Sequence, residues 1–320
     1  MRERDLESSE PRQNETEEGH RRPSLAKLAL LTLPFVAAYF AIRAAPVEPC
    51  EFLHPRTYNA AGELDYCGPG DSEFVDLTRR SWPVSLALQP LDEIRVGEPC
   101  RFQAAIKQFD GSPLGPEDVA LSHTEKIHLL AIDPALRDYQ HLHPEPDEVH
   151  PGVWNFNLTP SQAGSYRLFF DFIPLRSPRR VLLSASFDVP GTSAKPIAKR
   201  SRAYVTDNRR FTVQVADDET LKAGEKARLV FEAKDESGQF LVLQPVMGAF
   251  AHLVAFDADR KGFAHLHPFE NETSVEAGQT HSGALTFAFR PPTTGHFRLW
   301  AQVRTGDREV FIPFDLLVKT

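Results

Sequence analysis

The chain has 320 residues and a formal net charge of −8 at pH 7, a length that suggests about two domains of common size. Its Lys and Arg residues are scattered along the chain, whereas a protein that binds nucleic acid needs a concentrated basic surface. We therefore expect no nucleic-acid partner. Three cysteines are also too few for a disulfide-dense scaffold.

The N-terminus combines a polar tail with an apolar segment. Residues 1–23 hold almost no large apolar side chains, which predicts a disordered cytoplasmic tail. Residues 24–45 include an uncharged run with basic residues on both sides. This predicts an uncleaved transmembrane signal anchor, although a cleaved signal peptide has a core of similar length. More basic residues precede the run than closely follow it, which favours export of the rest of the chain.

We therefore expect a single-pass protein of the inner (cytoplasmic) membrane, with the bulk of the chain in the periplasm or extracellular space. Residues 46–81 form a connecting segment that holds Cys50 and Cys67. In an exported chain, two cysteines that bracket a short loop predict a disulfide, worth about 3 kcal/mol on the loop-entropy model.

Short stretches with alternating apolar residues fill residues 82–190 and 210–320. Alternation of this kind, with Gly and Pro turns between stretches, predicts an all-β chain of two tandem immunoglobulin-like β-sandwich domains. Residues 191–209 are basic and aperiodic, with Pro190 just before them and Pro196 near their start, which predicts a linker. Cys100 lies on the apolar face of one stretch and is expected to be an inert buried thiol.

The two domains are copies of each other. The sequence His-Leu-His-Pro occurs at 141–144 and again at 265–268, and each copy follows a lone histidine, His128 or His252, by 13 residues (141 − 128 and 265 − 252). Other landmarks recur in the same order, with offsets that run 127, 124, 131 and 129 along the chain as loops gain or lose residues. A period this long indicates duplication of a whole domain rather than a solenoid.

Histidines are the one concentrated chemical signal. Alternate side chains of an extended segment lie on one face about 7 Å apart, so the two imidazoles of His-x-His can converge on one ion. A symmetric turn at residues 133–136 would make His128 a cross-strand neighbour of His141. Neutral imidazoles suit copper or zinc, as Cu(II) or Zn(II), and two or three nitrogens leave an open coordination position. The candidate ligands are His128, His141, His143, His150, His252, His265, His267 and His281.

A structural role for the same histidines stands beside the metal hypothesis. His128 lies on a stretch that is apolar on both faces, where a histidine is commonly a hydrogen-bonded core residue. A duplicated domain also copies structural residues as faithfully as ligands. No phosphate-binding loop, nucleophile motif or HExxH motif is present, so we expect a protein that is not an enzyme.

The segments KIHLLAIDPALRDYQHLHPE with AGSYRLFFDF, and FAHLVAFDADRKGFAHLHP with TGHFRLW, resemble a bacterial family of exported β-sandwich domains. That family carries a strand-borne His, an HxHP motif and a G-x-Y-x-L-F strand, and its members often occur beside heavy-metal and copper efflux systems. The resemblance spans roughly Val84 to Val318. Ile127 and Ala251 stand where the family pattern has Met, which argues against thioether coordination of Cu(I).

The sequence therefore predicts a membrane-anchored envelope protein with a histidine-based copper or zinc site in each domain. Its expected partners are the membrane itself and metal-efflux or other envelope proteins. The alternative is an adhesion or protein-interaction module of the envelope whose histidines are structural.

Overall fold

The computed structural model describes residues 24–44, 57–58, 64–65, 74–79, 81–122, 124–176, 180–195, 201–216, 220–270, 275 and 278–320. The predicted tail at 1–23 and the predicted disulfide between Cys50 and Cys67 lie outside these residues. The chain divides into one unit at Met1–Pro49 and a second at Cys50–Thr320.

The first unit contains helix α1, Leu25–Ala44. An 18-residue window within it has a mean hydropathy of 1.9, and its only charged residues are Lys27 and Arg43. Twenty residues at a rise of about 1.5 Å span about 30 Å, the thickness of a bilayer's hydrocarbon core. The helix is thus long and apolar enough to cross a membrane.

The second unit is built of antiparallel β-strands, as the period-two pattern predicts. Within the described residues their bounds are β1 Thr57–Tyr58, β2 Leu64–Asp65, β3 Val75–Asp76, β4 Val84–Pro90, β5 Cys100–Gln108, β6 Ile127–Ile132, β7 Tyr139–Leu142, β8 Glu145–Pro146, β9 Val153–Leu158, β10 Gly164–Phe172, β11 Val181–Val189, β12 Ala203–Thr206, β13 Arg209–Val215, β14 Ala227–Asp235, β15 His252–Asp257, β16 Gly262–Leu266, β17 Leu285–Phe289, β18 Gly295–Thr305 and β19 Arg308–Val318.

Each domain is a sandwich of an outer and an inner sheet. In domain 1 the outer sheet has the order β4-β5-β9-β8 and the inner sheet the order β11-β10-β6-β7. In domain 2 the outer sheet is β12-β13-β14-β17 and the inner sheet is β19-β18-β15-β16-β3. The predicted fold class is confirmed. Strand β12 lies inside the segment 191–209 that the sequence predicts as a linker, so part of that segment is sheet.

Alternate residues of the paired strands fill the space between the sheets of each domain. In domain 1, Trp154 is fully buried and its indole Nε1 donates to the Leu114 carbonyl at 3.0 Å. Tyr166 is also fully buried, and its hydroxyl donates to Asp138 and accepts from the Gln162 amide. This hydroxyl holds a loop against the sandwich as in a tyrosine corner.

The inner sheets are buried on both faces, because they also pack against each other. Residues on their other faces form a separate buried cluster that includes Leu130, Phe169, Val254, Phe256 and Trp300. Strands buried on both faces lose the alternation of apolar and polar residues, and all six residues of β6 are buried. The four sheets therefore stack in the order outer, inner, inner, outer.

A short strand from before domain 1 also belongs to domain 2. β3 pairs with β16 through Val75 opposite Phe263, and Val75 is buried in the cluster between the inner sheets. Gly262 makes this approach possible, because a Cβ there would lie 1.7 Å from the Val75 carbonyl oxygen.

Candidate metal centre

The three histidines of each copy converge in the structure. In domain 1, His128 on β6 and His141 on β7 are buried, while His143 just beyond β7 is half-buried. His128 Nδ1 lies 3.0 Å from His141 Nε2, and the ring of His143 is 5.1 Å from that of His128 and 5.0 Å from that of His141. One nitrogen from each ring lies within 4.8 Å of the others. We call this set the first triad.

Domain 2 repeats the arrangement. His252 begins β15, His265 lies on β16 and His267 follows it, and all three are buried. His252 Nδ1 lies 3.0 Å from His265 Nε2 and 3.1 Å from His267 Nε2. These three form the second triad, and its candidate ligand nitrogens also lie within 4.8 Å of one another.

Backbone carbonyls fix which nitrogen of the strand-borne histidines carries the proton. His128 Nε2 donates to the Ser122 carbonyl at 2.7 Å, and His252 Nε2 donates to the Val246 carbonyl at 2.8 Å. A carbonyl only accepts, so a neutral ring in this position keeps its Nδ1 lone pair. In both triads that lone pair faces the other histidines, as it does in a metal-ligating histidine whose outer nitrogen is held by an acceptor.

A side chain from the other domain fixes the tautomer of His141 in a similar way. Its Nδ1 donates to Gln302 Oε1 at 2.8 Å. The amide nitrogen of Gln302 donates to Glu309, which fixes the amide oxygen towards His141. The neutral ring therefore carries its lone pair on Nε2, and this nitrogen faces the Nδ1 lone pair of His128.

Two facing lone pairs repel unless a proton or a cation lies between them. Nitrogens bound to one ion at about 2.0–2.1 Å, with angles of about 90–109°, lie about 2.8–3.4 Å apart. The nitrogen separations of 3.0 Å in the first triad and 3.0 and 3.1 Å in the second match this spacing. The donor set thus fits a tetrahedral or related ion with three imidazoles and one further position.

Burial keeps the rings neutral. Desolvation lowers the pKa of His128 and His252 to about 4, and that of the less buried His143 to about 3. Desolvation also lowers the pKa of His141 and His265 well below the ordinary value. Neutral imidazole is the form that binds a metal ion, so no proton has to leave at neutral pH.

The remaining two predicted ligands lie elsewhere. His150 is exposed, and its Nδ1 contacts Asp147 at 3.0 Å within a loop. His281 is half-buried, where its Nε2 contacts the Ala284 carbonyl at 3.2 Å and its ring packs on Phe250. Neither residue joins a triad; His150 lies in the loop before β9, and His281 pairs with Leu243 outside the named strands.

The predicted pairing of His128 with His141 across the hairpin was wrong. Leu130 pairs with His141, which places His128 opposite residue 143 and makes its contact with His141 a diagonal one. The turn is centred at (130 + 141)/2 = 135.5, one residue later than predicted, and the Asp133 carboxylate accepts the backbone amides of Ala135, Arg137 and Asp138 within it.

Comparisons with known proteins identify the repeated domain. The family model described as Domain of unknown function (DUF8832) matches residues 83–187 and 204–320. The chain belongs to the DUF8832 family. The two matched segments correspond to the two sandwiches, so each DUF8832 copy contributes one triad.

Other comparisons add nothing on function. A search of curated proteins finds no match. A crystal structure of red sea bream transglutaminase is 12% identical with a TM-score of 0.23, and the alignment covers 76% of this chain and 32% of that one. The chain therefore spans about a third of that protein, and a TM-score this low does not bear on fold or activity.

Sequence patterns did not identify two residues that lie beside the triad histidines. Asp171 and Gln302 lie opposite His128 and His252 on the neighbouring strands β10 and β18. Their identities differ between the copies, so the repeat alone did not mark them. Only the strand register and the packing of the inner sheets place them beside histidines.

Proposed function

We propose that this protein binds two copper or zinc ions per chain through its two histidine triads, at the surface of a bacterial membrane. The observation that carries the proposal is the direction of the lone pairs. Hydrogen bonds to the Ser122 and Val246 carbonyls and to Gln302 occupy outer ring nitrogens. The inner nitrogens face one another at the separation that a shared ion requires.

A purely structural histidine cluster would be built differently. Buried polar groups are normally satisfied by a donor facing an acceptor, and here two acceptors face each other in the first triad. His143 Nε2 is buried with no hydrogen-bond partner in the described part of the chain. A ligand of the first triad thus has a nitrogen available for an ion.

The ligand type narrows the choice of ion. Imidazole nitrogen suits Cu(II) and Zn(II), whereas Mg²⁺ and Ca²⁺ prefer oxygen ligands. The carboxylates of Asp171 and Glu309 lie behind His265 and Gln302 respectively. They reduce the cost of placing a divalent charge among neutral rings in a buried site.

The envelope location and the partners are part of this proposal. Helix α1 supplies a segment that can anchor the chain, and the resemblance to exported HxHP-motif domains supports a role beside a metal-efflux system. A chain that binds metal without a catalytic constellation would store, sense or deliver the ion.

The test is a titration of the full-length chain in detergent with Cu(II) and with Zn(II), followed by metal analysis after gel filtration. The expected result is two ions per chain. His141→Gln with His143→Gln, and separately His265→Gln with His267→Gln, should each remove one ion because the other triad remains.

The matched control is His150→Gln with His281→Gln, which alters two histidines outside the triads and should keep both ions. Retention of two ions by both triad variants would contradict the proposal, as would a wild-type chain that retains none. The last result would favour the structural alternative, an interaction module with structural histidines.

A further inference from the structure

The two triads lie side by side between the inner sheets. The ring of His265 from domain 2 is 5.5 Å from the ring of His141 and 5.7 Å from that of His128, both from domain 1. The ring of His252 is 6.2 Å from that of His141. These separations are close to those within one triad, which run from 4.7 to 5.2 Å.

Each triad also has a side chain of the opposite domain beside it. His141 of domain 1 donates to Gln302 of domain 2 at 2.8 Å. In the reverse direction, His265 Nδ1 of domain 2 lies 4.0 Å from Asp171 Oδ2 of domain 1. His141 and His265 are equivalent residues of the two copies (265 − 141 = 124).

The supporting residues are equivalent as well. Asp171 pairs across strands with His128, and Gln302 pairs with His252, so both occupy the same place in their own domain. Asp171 therefore lies beside His128 of its own domain and near His265 of domain 2. Gln302 likewise lies beside His252 of its own domain and contacts His141 of domain 1. The contacts run in both directions about an approximate two-fold axis, as at an isologous dimer interface.

The copies differ in charge at these positions. Asp171 is buried and its carboxylate accepts from Arg180 Nε at 2.7 Å. At the equivalent places domain 2 has a neutral amide, Gln302, held by the carboxylate of Glu309. The first triad thus has an amide oxygen behind its hairpin histidine, and the second has a carboxylate.

We propose that the two triads form one paired metal centre, in which two adjacent ions are held between the domains and the first triad is oriented by Gln302 of the opposite domain. This inference rests on the proposed metal-binding function and goes beyond it in one respect. It implies that metal binds with full affinity only when the two domains are in contact, so the domains do not hold independent sites.

Proximity is tested by electron paramagnetic resonance of the full-length chain loaded with Cu(II). With metal–nitrogen bonds of about 2 Å and facing rings 5.5 Å apart, the ions lie within about 12 Å of each other. Two Cu(II) equivalents should therefore give a dipolar-broadened spectrum with a half-field signal. The variant with His265→Gln and His267→Gln should give the sharp spectrum of one isolated Cu(II).

Cross-domain orientation is tested with Gln302→Leu in that single-triad variant. The site that remains in this variant is the first triad in domain 1, whereas Gln302 belongs to domain 2. Loss of a residue that orients a ligating histidine typically weakens metal affinity about 10- to 100-fold, and we expect a loss of this size. The matched control is Gln140→Leu on β7, next to His141, whose side chain donates to the Thr159 carbonyl instead. The control should retain the affinity and the spectrum, and melting curves in chelator confirm that both variants fold.

The outcomes separate this inference from the proposed function. A chain that binds two Cu(II) ions whose spectrum is the sum of two isolated sites overturns the pairing but leaves metal binding intact. Unchanged affinity and spectrum in Gln302→Leu overturn the cross-domain orientation in the same way. A chain that binds no Cu(II) overturns both.

Discussion

Replacing His143 with Gln separates a ligand from a structural residue most cleanly. Its Nε2 has no hydrogen-bond partner in the described residues, and the side chain is less buried than the other two of its triad. The substitution therefore breaks no hydrogen bond at that nitrogen. In chelator we expect the free energy of unfolding to fall by no more than about 1 kcal/mol, the typical cost of a point substitution.

The same substitution should lower the stability gained from metal. A site that is occupied at an ion concentration of 100 times Kd stabilises the fold by about 2.7 kcal/mol. A hundredfold loss of affinity reduces this to about 0.4 kcal/mol. With about 2–4 °C per kcal/mol for a unit of this size, the metal-induced rise in melting temperature should shrink by about 5–9 °C.

Differential scanning calorimetry of the full-length chain, with excess Zn(II) and separately in chelator, measures both effects. His150→Gln is the control, because this histidine is exposed and lies outside both triads. A drop in the melting temperature in chelator, with an unchanged rise on adding Zn(II), would refute the argument. It would show that His143 supports the fold and binds no ion.

Four further outcomes follow from the packing. Asp171→Asn removes the carboxylate that pairs with buried Arg180 and should cost about 3–5 kcal/mol in denaturant unfolding; a loss below 1 kcal/mol would contradict the pairing. Gly262→Ala should displace β3, because its Cβ would meet the Val75 carbonyl, and hydrogen exchange at residues 74–79 should accelerate. Cys100 is buried and desolvation raises its pKa, so alkylation should wait for unfolding; rapid labelling of the folded chain would contradict that placement. In chelator, stability should fall as the pH drops from about 6.5 towards about 4, because the triad histidines on β6 and β15 have a pKa near 4 when folded and protonate first in the unfolded chain.

Most of the fold follows from local patterns in the sequence. Alternation on single strands identifies the sandwich cores, as Trp154, Tyr166 and Phe231 illustrate, because each points into the space between two sheets. The apolar run of β6 gives no such face. This run indicates that the inner sheet is covered on both sides. It does not reveal that the second cover is the inner sheet of the other domain.

The site was predictable only in part for the same reason. The spacing of His128, His141 and His143 brings them together through one hairpin, which is local information. The contact between His141 and Gln302 joins residues 161 positions apart, and it depends on how two complete domains pack. His150 and His281 occupy equivalent positions in the two copies, yet neither lies at a triad. Equivalence between copies therefore does not by itself identify a site residue.

The most direct test of the central claim is X-ray absorption at the metal edge of the full-length chain loaded with two equivalents of Zn(II). We expect about three imidazole nitrogens per ion at about 2.0–2.1 Å, with the multiple-scattering pattern of histidine rings. The variant with His150→Gln and His281→Gln should retain this pattern. A first shell of oxygen alone, or two ions without imidazole scattering, would contradict the assignment of the triads as the metal ligands.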